Sequence, residues 1–136
     1  MDKTTVLFVK ASMVYLLIGS ILGFTMTLWP EGVVHYRSVH AHLNLLGWMS
    51  MMIFGVGYHI LPRFSGRPLY SLSIAKTQFY LANIGLVGMS IAWPLISRNI
   101  ALGFSKTFLA LFSVIEALAV FLFVYNIWKT IKTSGQ

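Results

Sequence analysis

The chain has 136 residues, 57% of them hydrophobic and only 10% charged, with a mean hydropathy of +0.79. Ordinary soluble domains are about 25% charged, so a water-soluble fold is excluded, and at this length so is a soluble catalytic domain beside a membrane part. Ten Lys and Arg against three Asp and Glu give +7, yet the basic residues stand singly between apolar runs and form no nucleic-acid footprint, while the lack of cysteine removes disulfides, iron–sulfur clusters and thiolate ligation.

Four apolar spans, at about 6–28, 39–61, 77–95 and 107–128, predict an all-α membrane protein made of a single transmembrane domain over residues 1–136. Each is roughly 19 to 23 residues, enough at about 1.5 Å per residue to cross about 30 Å of hydrocarbon. In lipid a lone span must satisfy its own backbone hydrogen bonds, so the spans are helices and not strands.

The first span follows MDKTTVLFVK without an A-x-A-like cleavage site and reads as a retained helix, not a signal peptide. It carries Gly19 and Gly23 at GxxxG spacing and closes at Trp29-Pro30-Glu31-Gly32. Such glycines serve close helix–helix approach, and glycine also admits a flat cofactor against a helix. An outer loop with His35 and Arg37 leads to the second span, which opens with His40 and His42. That span holds Gly47, Gly55, Gly57 and the Met49–Met52 cluster, read as flexible apolar filling, and ends with His59 and the turn Pro62–Pro68. The third span carries Gly85, Gly88 and a terminal Pro94, and Arg98 follows in the next loop. Glu116 falls in the middle of the fourth span, where a bare charge is costly, and is expected to pair with a polar group such as Asn83 or Asn44.

Orientation follows from the basic residues. Lys3, Lys10, Arg63, Arg67, Lys76, Lys129 and Lys132 fall at one membrane face, against Arg37, Arg98 and Lys106 at the other. The positive-inside bias places both termini in the cytoplasm. Trp29 and Trp93 then mark the outer interface, and Trp128 the inner one.

His40 and His42 carry the most informative spacing. At about 100° per residue, positions i and i+2 point about 200° apart, so the two imidazoles cannot share one metal as an i, i+4 pair would. They serve either two sites, one on each side of the helix, or polar contacts with neighbouring helices. The apolar surroundings and the lack of cysteine leave haem iron as a natural guest for neutral imidazole. His59 lies about 25 Å along the helix from His42 at about 1.5 Å per residue, so one haem cannot touch both.

The stretch from His40 through His42, Gly47, Gly55, Gly57 and His59 to Pro62-Arg63-Phe64-Ser65-Gly66 resembles the catalytic subunit I of the haem–copper oxidases, in the helix that carries two haem ligands in an HxH. The HxH, its distance to Pro62 and the Phe-Ser-Gly turn agree together; elsewhere the likeness is one of layout. In that family the two histidines bind two haems on opposite sides of the helix. The resemblance implies that His40 and His42 are axial ligands to two different haems, with Arg98 and Arg37 as partners for haem propionates.

That family's subunit has about twelve helices in three arcs of four, and this chain matches one arc. The resemblance therefore implies a homotrimer in the bilayer of a prokaryotic cytoplasmic (inner) membrane. Each haem b, about one per protomer, would be held by His40 of one chain and His42 of its neighbour. The function implied is electron transfer with a quinol or cytochrome partner, and no nucleic acid. The family's copper ligands and cross-linked tyrosine are not recognisable, so copper is not expected. Two alternatives stay open: a small oxygen or nitric oxide reductase-like enzyme, and a non-haem assembly or transport factor.

Overall fold

The computed structural model describes residues 2–131 and shows four helices among them. These are α1 over Lys3–Leu28, α2 over Pro30–Phe64, α3 over Leu72–Ser97 and α4 over Leu102–Thr130, each long and apolar enough to cross a membrane. The chain is thus an all-α membrane protein. Lys132 and the tail after it lie outside the described residues.

Every helix outruns its apolar span, and α2 does so most. It was expected from about residue 39 but starts at Pro30, where a 3-10 turn over Pro30–Gly32 runs straight into α-helix at Val33. Proline suits this first position because its missing N–H would be unpaired there anyway. His35, Arg37 and Ser38 lower the local hydropathy without preventing helix, so the segment read as an outer loop is helical and His35 stands on α2.

The middle of α2 is a π-helix over Leu43–Ser50, immediately after the HxH pair. Such wider turns are rare and recur at functional sites. Side chains attend it: Asn44 Nδ2 donates to the His40 carbonyl at 2.8 Å, and Ser50 Oγ to the Leu45 carbonyl at 2.9 Å.

The helix ends follow from sequence. Asp2 caps α1 by accepting the Thr4 N–H at 2.9 Å, which holds its carboxyl below the usual carboxylate range. Ser71 caps α3 by accepting from Ile74 N at 3.2 Å. α2 stops in a Schellman turn: Arg67 N donates to the Pro62 carbonyl and Gly66 N to the Arg63 carbonyl, both at 3.1 Å, with Gly66 left-handed at φ +60.

Two kinds of packing hold the bundle. At the end carrying the N-terminus, Phe8 meets Phe54, Tyr58 and Phe79 at ring-centroid distances of 6.0, 5.8 and 5.1 Å, and Phe54 meets Phe123 at 4.6 Å. α3 and α4 run antiparallel, with Gly85 against Glu116 and Gly88 against Phe112. Asn126 pins them by accepting from Ser71 N at 3.0 Å and donating to Ser71 O at 2.8 Å. The outcome places the HxH pair at the bundle end away from the N-terminus, with α1 on one flank and α3 on the other.

Candidate functional site

His40 turns toward α1. Its Nδ1 lies 2.9 Å from the Gly19 carbonyl oxygen, and since a carbonyl can only accept, Nδ1 carries the proton. The Asn44 amide 3.4 Å from the same nitrogen is then a contact and not a bond, because both groups are donors. The ring rests on Gly23, where a Cβ would stand 2.8 Å from Cε1 and 3.6 Å from Nε2. The GxxxG pair therefore admits side chains of α2, with Gly19 receiving Asn44 and Gly23 receiving His40. The imidazole is held by a backbone carbonyl on its inner nitrogen, which fixes the tautomer that leaves Nε2 a lone pair.

His42 turns toward α3. Its Nδ1 lies 2.7 Å from the Ser38 carbonyl oxygen, one turn back, so it too carries its proton on Nδ1. Its ring stands 6.0 Å from that of Trp93. Trp93, the expected marker of the outer interface, packs partly buried against the core near the end of α3, and its buried indole N–H has no partner among the described residues. Between the two imidazoles the core line of α2 runs through buried Val39 and Leu43. Each histidine, half-buried, thus sits at one edge of the core-facing side.

A polar cluster closes the same end. His35 donates through Nδ1 to Ser97 Oγ at 2.9 Å, since that hydroxyl already donates to the Pro94 carbonyl at 3.1 Å. Arg98, exposed at the end of α3, stacks 5.1 Å from the Tyr36 ring centroid and donates to Tyr36 Oη at 3.1 Å. Arg37 is exposed in a groove with Val33, Val34 and Ser38. Both arginines thus lie at the HxH end, Arg98 against Tyr36, one turn before His40.

Other singled-out residues lie elsewhere. Glu116 is buried on α4, but Asn83 binds Tyr15 Oη at 2.7 Å and Asn44 binds the His40 backbone, so neither is its partner. Glu116 Oε2 has no partner among the described residues. His59 is at the opposite end of α2, beside Arg63, whose Nη1 donates to the His59 carbonyl at 2.6 Å. Met51 is fully buried core filling. The described residues contain no group of three or more His, Cys, Asp or Glu side chains able to hold a metal ion.

Sequence reasoning missed Asn44, Ser97 and Trp93 as neighbours of the histidines. Asn44 was accessible in principle, as the i+4 residue of His40 on one helix face. The other two depend on how α3 is set against α2, which no local pattern encodes.

Comparison with known proteins gives the family. The family model for cytochrome c and quinol oxidase polypeptide I matches residues 1–97. Cytochrome c oxidase subunit 1 of Rhodobacter capsulatus is 47% identical over 49 residues, which make up 35% of this chain and 9% of that protein. The cbb3-type cytochrome c oxidase subunit CcoN1 of Stutzerimonas stutzeri is 41% identical over 49 residues, 35% of this chain and 10% of its own length. A cytochrome c oxidase subunit 1 homolog of Agrobacterium tumefaciens is 43% identical over a stretch of the same size. The match spans about a tenth of the length of these relatives.

Proposed function

Because the chain belongs to the cytochrome c and quinol oxidase polypeptide I family, we propose that it is a haem b-binding membrane protein of electron transfer, a homotrimer in which His40 of one protomer and His42 of the next hold each iron. One observation carries this reading. The two imidazoles leave α2 on opposite sides, and each donates Nδ1–H to a backbone carbonyl, so Nε2 is the nitrogen left for a metal. One chain cannot bring both rings to one iron, whereas a closed ring of copies pairs every His40 with a His42. Four helices are also one arc of the three that make the larger subunit.

When bound, haem supplies reversible one-electron chemistry at its iron. The chain's own residues do the rest. The Gly19 carbonyl fixes the plane of the His40 ring and Gly23 makes room for it; the Ser38 carbonyl and the Trp93 ring fix His42. The unpartnered Trp93 indole N–H and the Arg98 and Arg37 guanidiniums fit the carboxylates of a propionate-bearing macrocycle. The apolar helices around them keep water away. With His40 and His42 both committed to holding the iron, electron transfer would be favoured over oxygen or nitric oxide reduction.

The orientation proposed puts both termini in the cytoplasm. In support, Lys3, Lys10, Arg63, Arg67, Lys76 and Lys129 gather at one end and Arg37, Arg98 and Lys106 at the other. The HxH end then faces outward from an inner membrane, toward a quinol or a cytochrome partner.

The test is the visible spectrum of detergent-purified protein, oxidised, reduced, and reduced under carbon monoxide. The expected result is a low-spin bis-histidine spectrum that carbon monoxide leaves unchanged and that His40→Ala and His42→Ala each abolish. A protein colourless after haem-replete expression contradicts haem binding. A strong carbon monoxide shift returns the reading to a reductase with an open iron.

A further inference from the structure

At the far end of the bundle from the HxH pair, a pocket of about 380 Å³ opens between the start of α1, the end of α2 and the start of α3. None of the haem reading uses it. Its walls are mainly apolar, formed by Tyr58, Pro62, Leu69, Leu72 and Ala75. Beside the neutral Thr4 and Thr5, its titratable lining is mainly basic: His59, Arg63 and Arg67 face one acid, Asp2, whose carboxylate is engaged on the Thr4 N–H at the cap of α1.

The local sequence builds this arrangement. Pro62 and the left-handed Gly66 produce the Schellman turn, and its two backbone bonds hold Arg63 and Arg67 on one wall. Arg63 spends Nη1 on the His59 carbonyl at 2.6 Å, which orients the rest of its guanidinium. The pocket sits at the end of a helix long and apolar enough to span a membrane, where headgroups are met once the hydrocarbon is crossed.

We propose that this pocket binds the phosphate of an anionic phospholipid, with Arg63, Arg67 and His59 around the phosphate and the apolar wall under the start of the acyl chains. Two guanidiniums match the forked oxygens of a phosphate diester. Basic pockets between transmembrane helices are where such headgroups are held. A free phosphate would have no use for the apolar floor. Lys10, Lys76 and Lys129 share this end of the bundle but do not line the pocket, so a built site and a diffuse basic surface make different predictions.

The experiment is native mass spectrometry of the purified full chain after exposure to equal amounts of phosphatidylglycerol and phosphatidylcholine. Phosphatidylglycerol is expected to be retained preferentially, near one per protomer. Arg63→Ala with Arg67→Ala lowers its retention by about tenfold or more. Lys76→Ala with Lys129→Ala leaves it unchanged. Leu72→Trp, which fills the wall and keeps every charge, lowers it as well and stands in if the double arginine variant misfolds. Equal retention of phosphatidylcholine, an equal loss in the lysine variant, or displacement by millimolar inorganic phosphate overturns the proposal. Haem content is read in parallel and stays unchanged, so failure here is distinct from failure of the haem reading.

Discussion

His40 and Gly23 are fitted to one another: a Cβ on Gly23 would lie 2.8 Å from His40 Cε1, closer than real Cβ contacts come. Gly23→Ala therefore forces the imidazole off its seat on α1 while leaving both histidines in the sequence. Haem content is expected to fall several-fold with helical circular dichroism unchanged. Gly103→Ala, where a Cβ meets nothing within 4 Å, is the matched control and leaves haem content at the wild-type level.

Arg98 tests the propionate reading. Removing a cation close to a haem disfavours the reduced state, which carries the extra electron. Arg98→Ala is expected to lower the midpoint potential, with a smaller drop on adding salt to the wild type because exposed charges are screened. Redox titration by absorbance reads both. An unchanged potential in Arg98→Ala and in Arg37→Ala contradicts a role for either beside the haem.

Tyr15 and Asn83 join α1 to α3 through a 2.7 Å hydrogen bond within the membrane region. Such bonds contribute about 0.6 kcal/mol on average and up to about 1.7 kcal/mol. Tyr15→Phe is expected to lower the thermal midpoint modestly without changing the visible spectrum. A lost spectrum would mean that this bond positions the histidines, contrary to the account.

At Gly85 the backbone of α3 closes on the backbone of α4 at Glu116. A Cβ on Gly85 would stand 2.9 Å from the Glu116 backbone nitrogen and 2.7 Å from Oε2. Backbone cannot swing aside as a side-chain tip can, so Gly85→Ala is expected to cost about 1–3 kcal/mol, the range for an overpacked core. Glu116→Gln keeps the volume and removes the possibility of a buried charge, so it is expected to match or exceed the wild type in stability. Thermal unfolding of the two variants side by side checks both statements.

Much of this was legible in the chain. The four spans followed from apolar run length, and the opposite sides of His40 and His42 from helical pitch alone. What escaped has physical reasons. Hydropathy reports the thickness of hydrocarbon, not the length of a helix, so the extension of α2 back to Pro30 and the helical seat of His35 were hidden by three polar residues. The π-helix over Leu43–Ser50 leaves no mark in a pattern read at fixed pitch. GxxxG announced a close approach at Gly19 and Gly23 without saying that an imidazole and an amide, not a bare helix, fill it. The packing of Trp93 against the core and the absence of an Asn partner for Glu116 depend on how α3 is set against its neighbours.

The central claim is that each iron is shared between protomers, and co-expression of two inactive variants tests it most directly. His40→Ala and His42→Ala are each expected to be colourless when expressed alone. Mixed in one cell at equal levels, they assemble trimers in which the intact His40 of one chain faces the intact His42 of its neighbour. Random mixing restores about a quarter of the wild-type sites. Haem absorbance recovered near that fraction, with the bis-histidine spectrum, is the predicted result. A co-expressed protein as colourless as either variant alone, though trimeric and folded, would contradict it.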